Sequence, residues 1–176
     1  KPLYVPFALP GERLRVRVHD RHRDFARGRI ETRLGPARGR PPACRHFGHC
    51  GGCRLQHLPQ ELYEAFRVRQ VVDELARRRI ACPRPQLVWV PPGSRRRLRI
   101  AWQRGRHLRL GFRALQAHTI IDLLECPVAV PQIVALLPAL RLLLAQLAVD
   151  TQAGEVVVTR FASGLDLLLR LDQAIG

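Results

Sequence analysis

Methionine is absent from the sequence, lysine occurs once, and acidic residues are few, with 14 Asp and Glu against 30 Lys and Arg. A long apolar run is also missing, because the longest such stretch (133–149) contains Pro138, Arg141 and Gln146, which excludes a membrane-spanning helix. The first residues lack the apolar core of a secretory signal. We therefore expect a cytoplasmic protein that contacts no membrane. Since the chain starts with lysine and lacks methionine, we also expect a piece of a longer protein.

The scarcity of acidic residues is uneven along the chain. The net charge is +16, yet residues 119–176 hold six acidic and only three basic side chains. A strongly basic protein is expected to bind a polyanion, with nucleic acid as the default. Arginine in place of lysine suits phosphate binding and base stacking, although a GC-rich genome explains the same preference. Neither codon usage nor composition explains why one part of the chain carries the charge.

Cysteines cluster in "CRHFGHCGGC", where Cys44, Cys50 and Cys53 fall within ten residues, and Cys126 follows far along the chain. In a reducing compartment such cysteines are more often metal ligands or catalytic groups than disulfides. Four thiolates suit zinc or an iron–sulfur cluster, and bare structural thiols are a third possibility. Three ligands from one loop and one from a distance favour a cubane cluster over zinc, which usually takes paired ligands. His46, His49 and His57 are interpreted as groups around this site or facing RNA, with a solvated loop as the alternative.

Periodicity predicts the order of the elements. A basic antiparallel hairpin is expected over 12–18 and 25–34, a Gly/Pro/Arg connector over 35–43, and an amphipathic helix over 60–80. Short strands are expected at 86–90, 97–103, 107–112 and 118–122. A helical segment should start at Pro131 and break or restart at Pro138, because an interior proline loses a hydrogen bond. A second hairpin is expected over 155–161 and 165–171.

Arginines crowd the strand region, with nine between Arg84 and Arg113 and no Asp or Glu among them. Alternation places Arg97 and Arg99 on one strand face, opposite Leu98, Ile100 and Trp102. With Trp102, His107 and Phe112 interleaved, the stretch is typical of a platform for phosphates and bases. The alternative is that both Trp102 and Phe112 point into the core. The residues expected to contact RNA are Arg95, Arg96, Arg97, Arg99 and Arg113.

The segments "CRHFGHCGGCRLQHL", "GSRRRLRIAW", "LRLGFRALQAHTIIDLLECPV" and "VPQIVALLPAL" resemble the 5-methyluridine RNA methyltransferases, in particular the branch that modifies 23S ribosomal RNA. The resemblance implies an α+β chain with the end of an OB-like barrel, the TRAM domain, at 1–36. A central RNA-binding domain at 37–176 would carry a 4Fe-4S cluster. The implied cluster ligands are Cys44, Cys50, Cys53 and Cys126.

The catalytic residues of that family have no counterpart in this sequence. Its catalytic cysteine, general base and glycine motif for S-adenosylmethionine belong to a C-terminal Rossmann-like domain, and nothing in 127–176 resembles them. The resemblance therefore implies no catalytic and no S-adenosylmethionine-binding residue in this chain, and an inactive piece that relies on the absent domain for that cofactor. It favours ribosomal over transfer RNA as the partner and a monomeric state. A zinc-stabilised, non-catalytic RNA-binding module is the alternative.

Overall fold

The computed structural model describes residues 1–147 and 151–171 and is an α+β fold. The chain divides into two compact units. The first unit comprises Lys1–Pro42 and Arg54–Val88, and the second comprises Ala43–Cys53 and the chain from Trp89 onward. The elements are β1 (Leu3–Tyr4), β2 (Leu14–Arg21), β3 (Ala26–Arg33), α1 (Gln60–Arg77), β4 (Arg97–Gln103), β5 (Arg109–Arg113), β6 (Ile120–Asp122), α2 (Pro131–Gln146), β7 (Ala153–Phe161) and β8 (Gly164–Leu171).

The first unit contains a three-stranded sheet in the order β1-β3-β2. Strands β2 and β3 pair antiparallel, which confirms the predicted basic hairpin, and β1 adds in parallel, with Leu3 opposite Ala26. Along β2, exposed arginines alternate with half-buried apolar residues. The described residues form no closed barrel, and the TRAM assignment of 1–36 stays a prediction.

Helix α1 confirms the predicted helix after the cysteine loop. It begins after Pro59, whose extended backbone precedes the first turn, and it ends at Arg77. None of its residues is fully buried; Val72 and Leu75 are half-buried, whereas Leu62 and Phe66 are exposed.

The second unit is built on a five-stranded antiparallel sheet in the order β6-β5-β4-β7-β8. Helix α2 covers one face, because its buried apolar residues and those of β4 belong to one core. Alternation in β4 sends Leu98, Ile100 and Trp102 into that core. The helix contributes Ile133, Leu137, Leu140 and Leu144.

Two predicted features are wrong. Residues 86–90 form no strand: the segment lies before Pro91 and Pro92, adopts no β-structure, and leaves Val88 86% exposed. Helix α2 also runs unbroken through Pro138. Pro138 is exposed, so its ring points away from the core, and burial of the residues on the opposite side outweighs the lost backbone hydrogen bond.

The later hairpin is confirmed, since β7 and β8 pair antiparallel from Gly154 opposite Leu171 to Phe161 opposite Gly164. In the described part of the chain, no helix has the length and apolar character required to cross a membrane.

Candidate metal centre and nucleic-acid interface

The cysteine loop, Cys44–Cys53, is a series of turns fastened to the end of β5. Cys50 forms an antiparallel bridge with Ala114. The Gly51 N–H donates to the Arg113 carbonyl over 2.9 Å, and the Leu115 N–H donates to the His49 carbonyl over 2.8 Å. The strand that carries Arg113 therefore also positions the second predicted ligand.

Two glycines in the loop are required by local geometry. Gly48 has a φ of +89°, which a side chain rarely tolerates. A Cβ on Gly51 would lie 2.9 Å from the Arg113 carbonyl oxygen, closer than a real contact allows. Glycine at these two positions therefore allows the loop to close on β5.

A second set of contacts ties the loop to the segment of Cys126. The Arg45 N–H donates to Glu125 Oε1 over 2.7 Å, and the Arg45 guanidinium pairs with Glu125 Oε2 at 3.3 Å. The Leu124 N–H donates to His46 Nε2 over 3.2 Å. These contacts bring the distant fourth cysteine to the loop.

All four predicted ligands are free thiols in one neighbourhood of the second unit. Burial raises the pKa of Cys50, and charge on Cys53, Cys44 and Cys126 would raise it further. Burial also raises the pKa of Cys126, which interacts with Cys53 and Cys44 as well. Three of these cysteines lie on the loop, and the contacts of Arg45 and His46 with Glu125 and Leu124 hold the segment of the fourth beside it.

Backbone amides surround three of these sulfur atoms. The Gly52 N–H donates to Cys50 Sγ over 3.4 Å. Burial raises the pKa of Cys44, while backbone hydrogen bonds from His46 and Phe47 act in the opposite direction. Backbone hydrogen bonds from Ala129 and Val128 do the same for Cys126. Amides directed at sulfur stabilise the thiolate form that metals and clusters bind.

Within the described ranges, no three His, Cys, Asp or Glu side chains are placed to hold a single metal ion. Four thiolates are the donor set of a four-iron cluster and also of tetrahedral zinc, so the chemistry of these residues fits both groups.

The three histidines have separate surroundings. His46 accepts the Leu124 hydrogen bond beside the cysteines, and His49 is exposed. His57 is buried in the first unit, where its ring packs edge-on to Phe7, so it is neither solvated nor facing RNA. Burial lowers its pKa.

Three of the predicted arginines, Arg97, Arg99 and Arg113, lie on the side of the sheet opposite α2, which we call the open face. Arg97 and Arg99 alternate with the buried residues of β4, as predicted, and Arg113 shares their side of the sheet through β5. All three are exposed. Trp102 is fully buried and Phe112 packs against the core, so the alternative for the aromatics is confirmed and they form no exposed platform.

Arg95 and Arg96 lie just before β4 and are also exposed. The Arg95 N–H donates to the Val128 carbonyl over 2.9 Å, which fixes its backbone beside the segment after Cys126. The Arg96 carbonyl accepts from the Arg160 N–H over 2.7 Å.

Strand register adds two arginines that sequence reasoning did not select. Arg109 pairs with Gln103, and Arg170 pairs with Glu155, which itself lies opposite Ala101. Both therefore share the open face and both are exposed. Alternation within β5 could have identified Arg109, whereas Arg170 required knowledge of strand pairing.

Carboxylates on the open face reduce its positive charge. Glu155 pairs with the Arg99 guanidinium, with oxygen–nitrogen distances of 2.5 and 2.7 Å. Asp166 lies opposite Thr159 on the same side. Asp122 lies opposite Gly111 on the same side by register and pairs with Arg141. Five arginines against these three carboxylates leave the face basic.

Comparison with known proteins relates the chain to one kind of enzyme. No family model matches it. It is 39% identical over 172 residues to a protein of Caulobacter vibrioides named "Uncharacterized RNA methyltransferase", covering 95% of this chain and 40% of that protein. It is 42% identical over 166 residues to an RNA methyltransferase of Brucella suis, covering 94% and 39%. It is 34% identical over 175 residues to the 23S rRNA (uracil(1939)-C(5))-methyltransferase RlmD of Halomonas elongata, covering 97% and 36%. The chain spans about 40% of the length of these relatives, and they confirm the resemblance found in the sequence.

Proposed function

Because this chain is homologous over nearly its whole length to a segment of RNA methyltransferases, we propose that it is the iron–sulfur-bearing, RNA-binding portion of an RNA uracil-C5 methyltransferase. The observation that carries the proposal is the juxtaposition, within one unit, of four neighbouring free thiols and a basic sheet face. The relative named for 23S ribosomal RNA supports ribosomal RNA as the partner. A monomer acting in the cytoplasm fits this role.

Cys44, Cys50, Cys53 and Cys126 would hold the cluster. When bound, the cluster supplies a crosslink between the loop and the segment after β6. Arg45, Glu125 and His46 hold the same two segments together, so the ligands are oriented before binding. Since the loop is fastened to Arg113 and Leu115, the crosslink would also fix one end of the open face.

The arginines of the open face would bind phosphates. A guanidinium donates two parallel hydrogen bonds to a phosphate, and removing bound counterions from RNA favours binding at low salt. A uridine buried in a folded RNA must leave its stack before its carbon 5 can react. We assign this chain the task of holding the RNA around such a base.

Methyl transfer itself would belong to the rest of the longer protein. Carbon 5 of uracil is a poor nucleophile, so enzymes of this type add a cysteine thiolate to carbon 6 and later remove the carbon 5 proton with a base. The relatives are more than twice as long as their matched segments, which leaves room for a catalytic domain.

RNA binding by the anaerobically purified protein tests the proposal. We expect it to bind a ribosomal RNA fragment with an affinity that falls steeply as salt rises, and to bind a transfer RNA of similar length more weakly. Failure to bind either RNA at low salt would contradict the RNA-binding role, and a preference for transfer RNA would contradict the proposed substrate.

A further inference from the structure

Phe161 is an exposed aromatic residue at the end of β7. Its side chain is 53% exposed, and it is absent from the core cluster of the second unit. Val156 and Val158 of the same strand are fully buried in that core. Since side chains alternate along a strand, Phe161 projects from the opposite side, which is the open face.

Two arginines lie beside this ring. The ladder of β4 and β7 includes Arg97 opposite Thr159. The hydrogen bond from the Arg160 N–H to the Arg96 carbonyl continues it by one row. Extending the register by one more row places Phe161 beside Arg95, which also bridges Ala129, and diagonal to Arg97. Directly opposite side chains in antiparallel strands have Cβ atoms about 5 Å apart, and diagonal neighbours are within reach of long side chains.

We propose that Phe161, Arg95 and Arg97 form a binding position for one unpaired RNA nucleotide. The base stacks on the phenyl ring, and the flanking phosphates pair with the two guanidinium groups. This inference rests on the proposed function and deepens it, because it assigns the open face a preference for single-stranded RNA. The paired carboxylate Glu155 belongs to the row of Ala101, away from Phe161. Asp166 lies in the row of Thr159 and Arg97, diagonal to Phe161, so two arginines and one carboxylate surround the ring and leave a net positive charge there.

The choice of occupant follows from chemistry and charge. A protein partner would cover an exposed phenylalanine equally well, but adjacent exposed arginines favour an anion. A nucleotide joins an aromatic base to a phosphate, so one residue of RNA can contact the phenyl ring and a guanidinium group together. Trp102 and Phe112 face the core, so among the described strands Phe161 supplies the open face with its aromatic ring.

Substitutions at Phe161 separate stacking from other roles. Affinities are measured for a short oligouridine and for an RNA duplex of equal length. Phe161→Ala and Phe161→Leu should weaken oligouridine binding by roughly five- to a hundredfold, since stacking on an aromatic ring is lost. Phe161→Tyr should bind like the original protein, and duplex binding should not change in any variant.

Phe66→Ala is the matched control, because Phe66 is a 40% exposed phenylalanine of α1. It should leave both affinities unchanged. The inference is overturned if Phe161→Leu binds oligouridine normally, if Phe66→Ala weakens binding equally, or if duplex binding falls with that of oligouridine. Thermal melting of each variant establishes that the fold is retained.

The two proposals fail differently. If the original protein binds no RNA, both are wrong. If it binds RNA and holds iron while Phe161→Ala binds oligouridine normally, the stacking position alone is wrong.

Discussion

At the scale of single residues, the cysteine site depends on contacts between segments far apart in the chain. Cys126 is buried and reaches the loop because Arg45 and His46 bind the two residues before it, Glu125 and Leu124. Of the four ligands, it alone comes from outside the loop, so its loss should separate the two segments.

We therefore expect Cys126→Ser to abolish or weaken cluster binding and to lower the melting temperature by about 10 °C, since metal binding stabilises the fold that presents the ligands. Iron content and thermal unfolding are the measurements. Cys82→Ser is the matched control, because Cys82 lies in the first unit and its thiol donates to the carbonyl of its own neighbour, Pro83. Unchanged colour and melting in Cys126→Ser would contradict its role as a ligand.

Glu12 is the residue in the first unit most clearly suited to a pH test. Its side chain is 3% exposed and pairs with Arg33 at 2.5 Å. Burial alone would raise the pKa of Glu12, but hydrogen bonds from the backbone of Leu9 and Arg38 and the pair with Arg33 together lower it.

A lowered pKa in the folded state means that ionised Glu12 stabilises the fold above its unfolded value near 4.5. This stabilisation is lost as the pH falls through the lower folded value. Glu12→Gln should therefore reduce stability at pH 7 and approach the original protein below pH 4. The free energy of unfolding, measured against pH, checks this. A difference that stays constant down to acid pH would show that the charge plays no part.

At the scale of elements, β4 carries both the core and the open face. Its alternation of arginine with leucine, isoleucine and tryptophan divides the strand into two chemically distinct sides. One face stabilises the second unit against α2, and the other carries exposed arginines.

Replacing both Arg97 and Arg99 by Ala should weaken RNA binding roughly tenfold, through loss of two charge-assisted contacts. The slope of log affinity against log salt should become shallower by about 1.4, or about 0.7 per lost phosphate contact on a single strand. Iron content should not change, because neither side chain contacts the cysteine loop in the described structure.

Arg67 and Arg69 on the exposed side of α1 provide the control, since their replacement removes the same charge elsewhere. Equal weakening in both double variants would show that net charge, rather than the open face, determines affinity. An unchanged salt slope in the β4 variant would point to the hairpin of β2 and β3 instead.

Local sequence patterns predicted an element correctly where one of its faces is more buried than the other. The range predicted for β4 was confirmed at both ends, because its period of two matches a sheet with one buried side. The same reasoning failed at 86–90, where an apolar run before two prolines stays largely exposed, and at Pro138, where tertiary burial outweighs a local penalty. The position of Arg170 on the open face depends on pairing between β7 and β8, which a one-strand pattern does not contain.

At the scale of the whole molecule, the uneven charge of the sequence follows the task of each region. Basic residues are concentrated in the hairpin of the first unit and on the open face of the second. The more acidic C-terminal part of the chain forms α2 and the strands β7 and β8 at one edge of the sheet. The matched segments of the relatives show that such a chain occurs within a much longer enzyme.

We predict that these 176 residues alone neither methylate RNA nor bind S-adenosylmethionine, because the rest of such an enzyme would supply both functions. The sequence has no glycine-rich turn after a strand to hold the cofactor. Calorimetry with S-adenosylmethionine and transfer of a labelled methyl group to ribosomal RNA are the two measurements, with the full-length relative as the positive control. Methyl transfer by the isolated chain would place the catalytic residues among those described here.

Iron, zinc and acid-labile sulfide in anaerobically purified protein test most directly whether the four cysteines hold a cluster. We expect about four iron and four sulfide per chain and no stoichiometric zinc, with both lost in Cys126→Ser and retained in Cys82→Ser. One zinc per chain without iron or sulfide would contradict the cluster and identify a zinc-stabilised RNA-binding module instead.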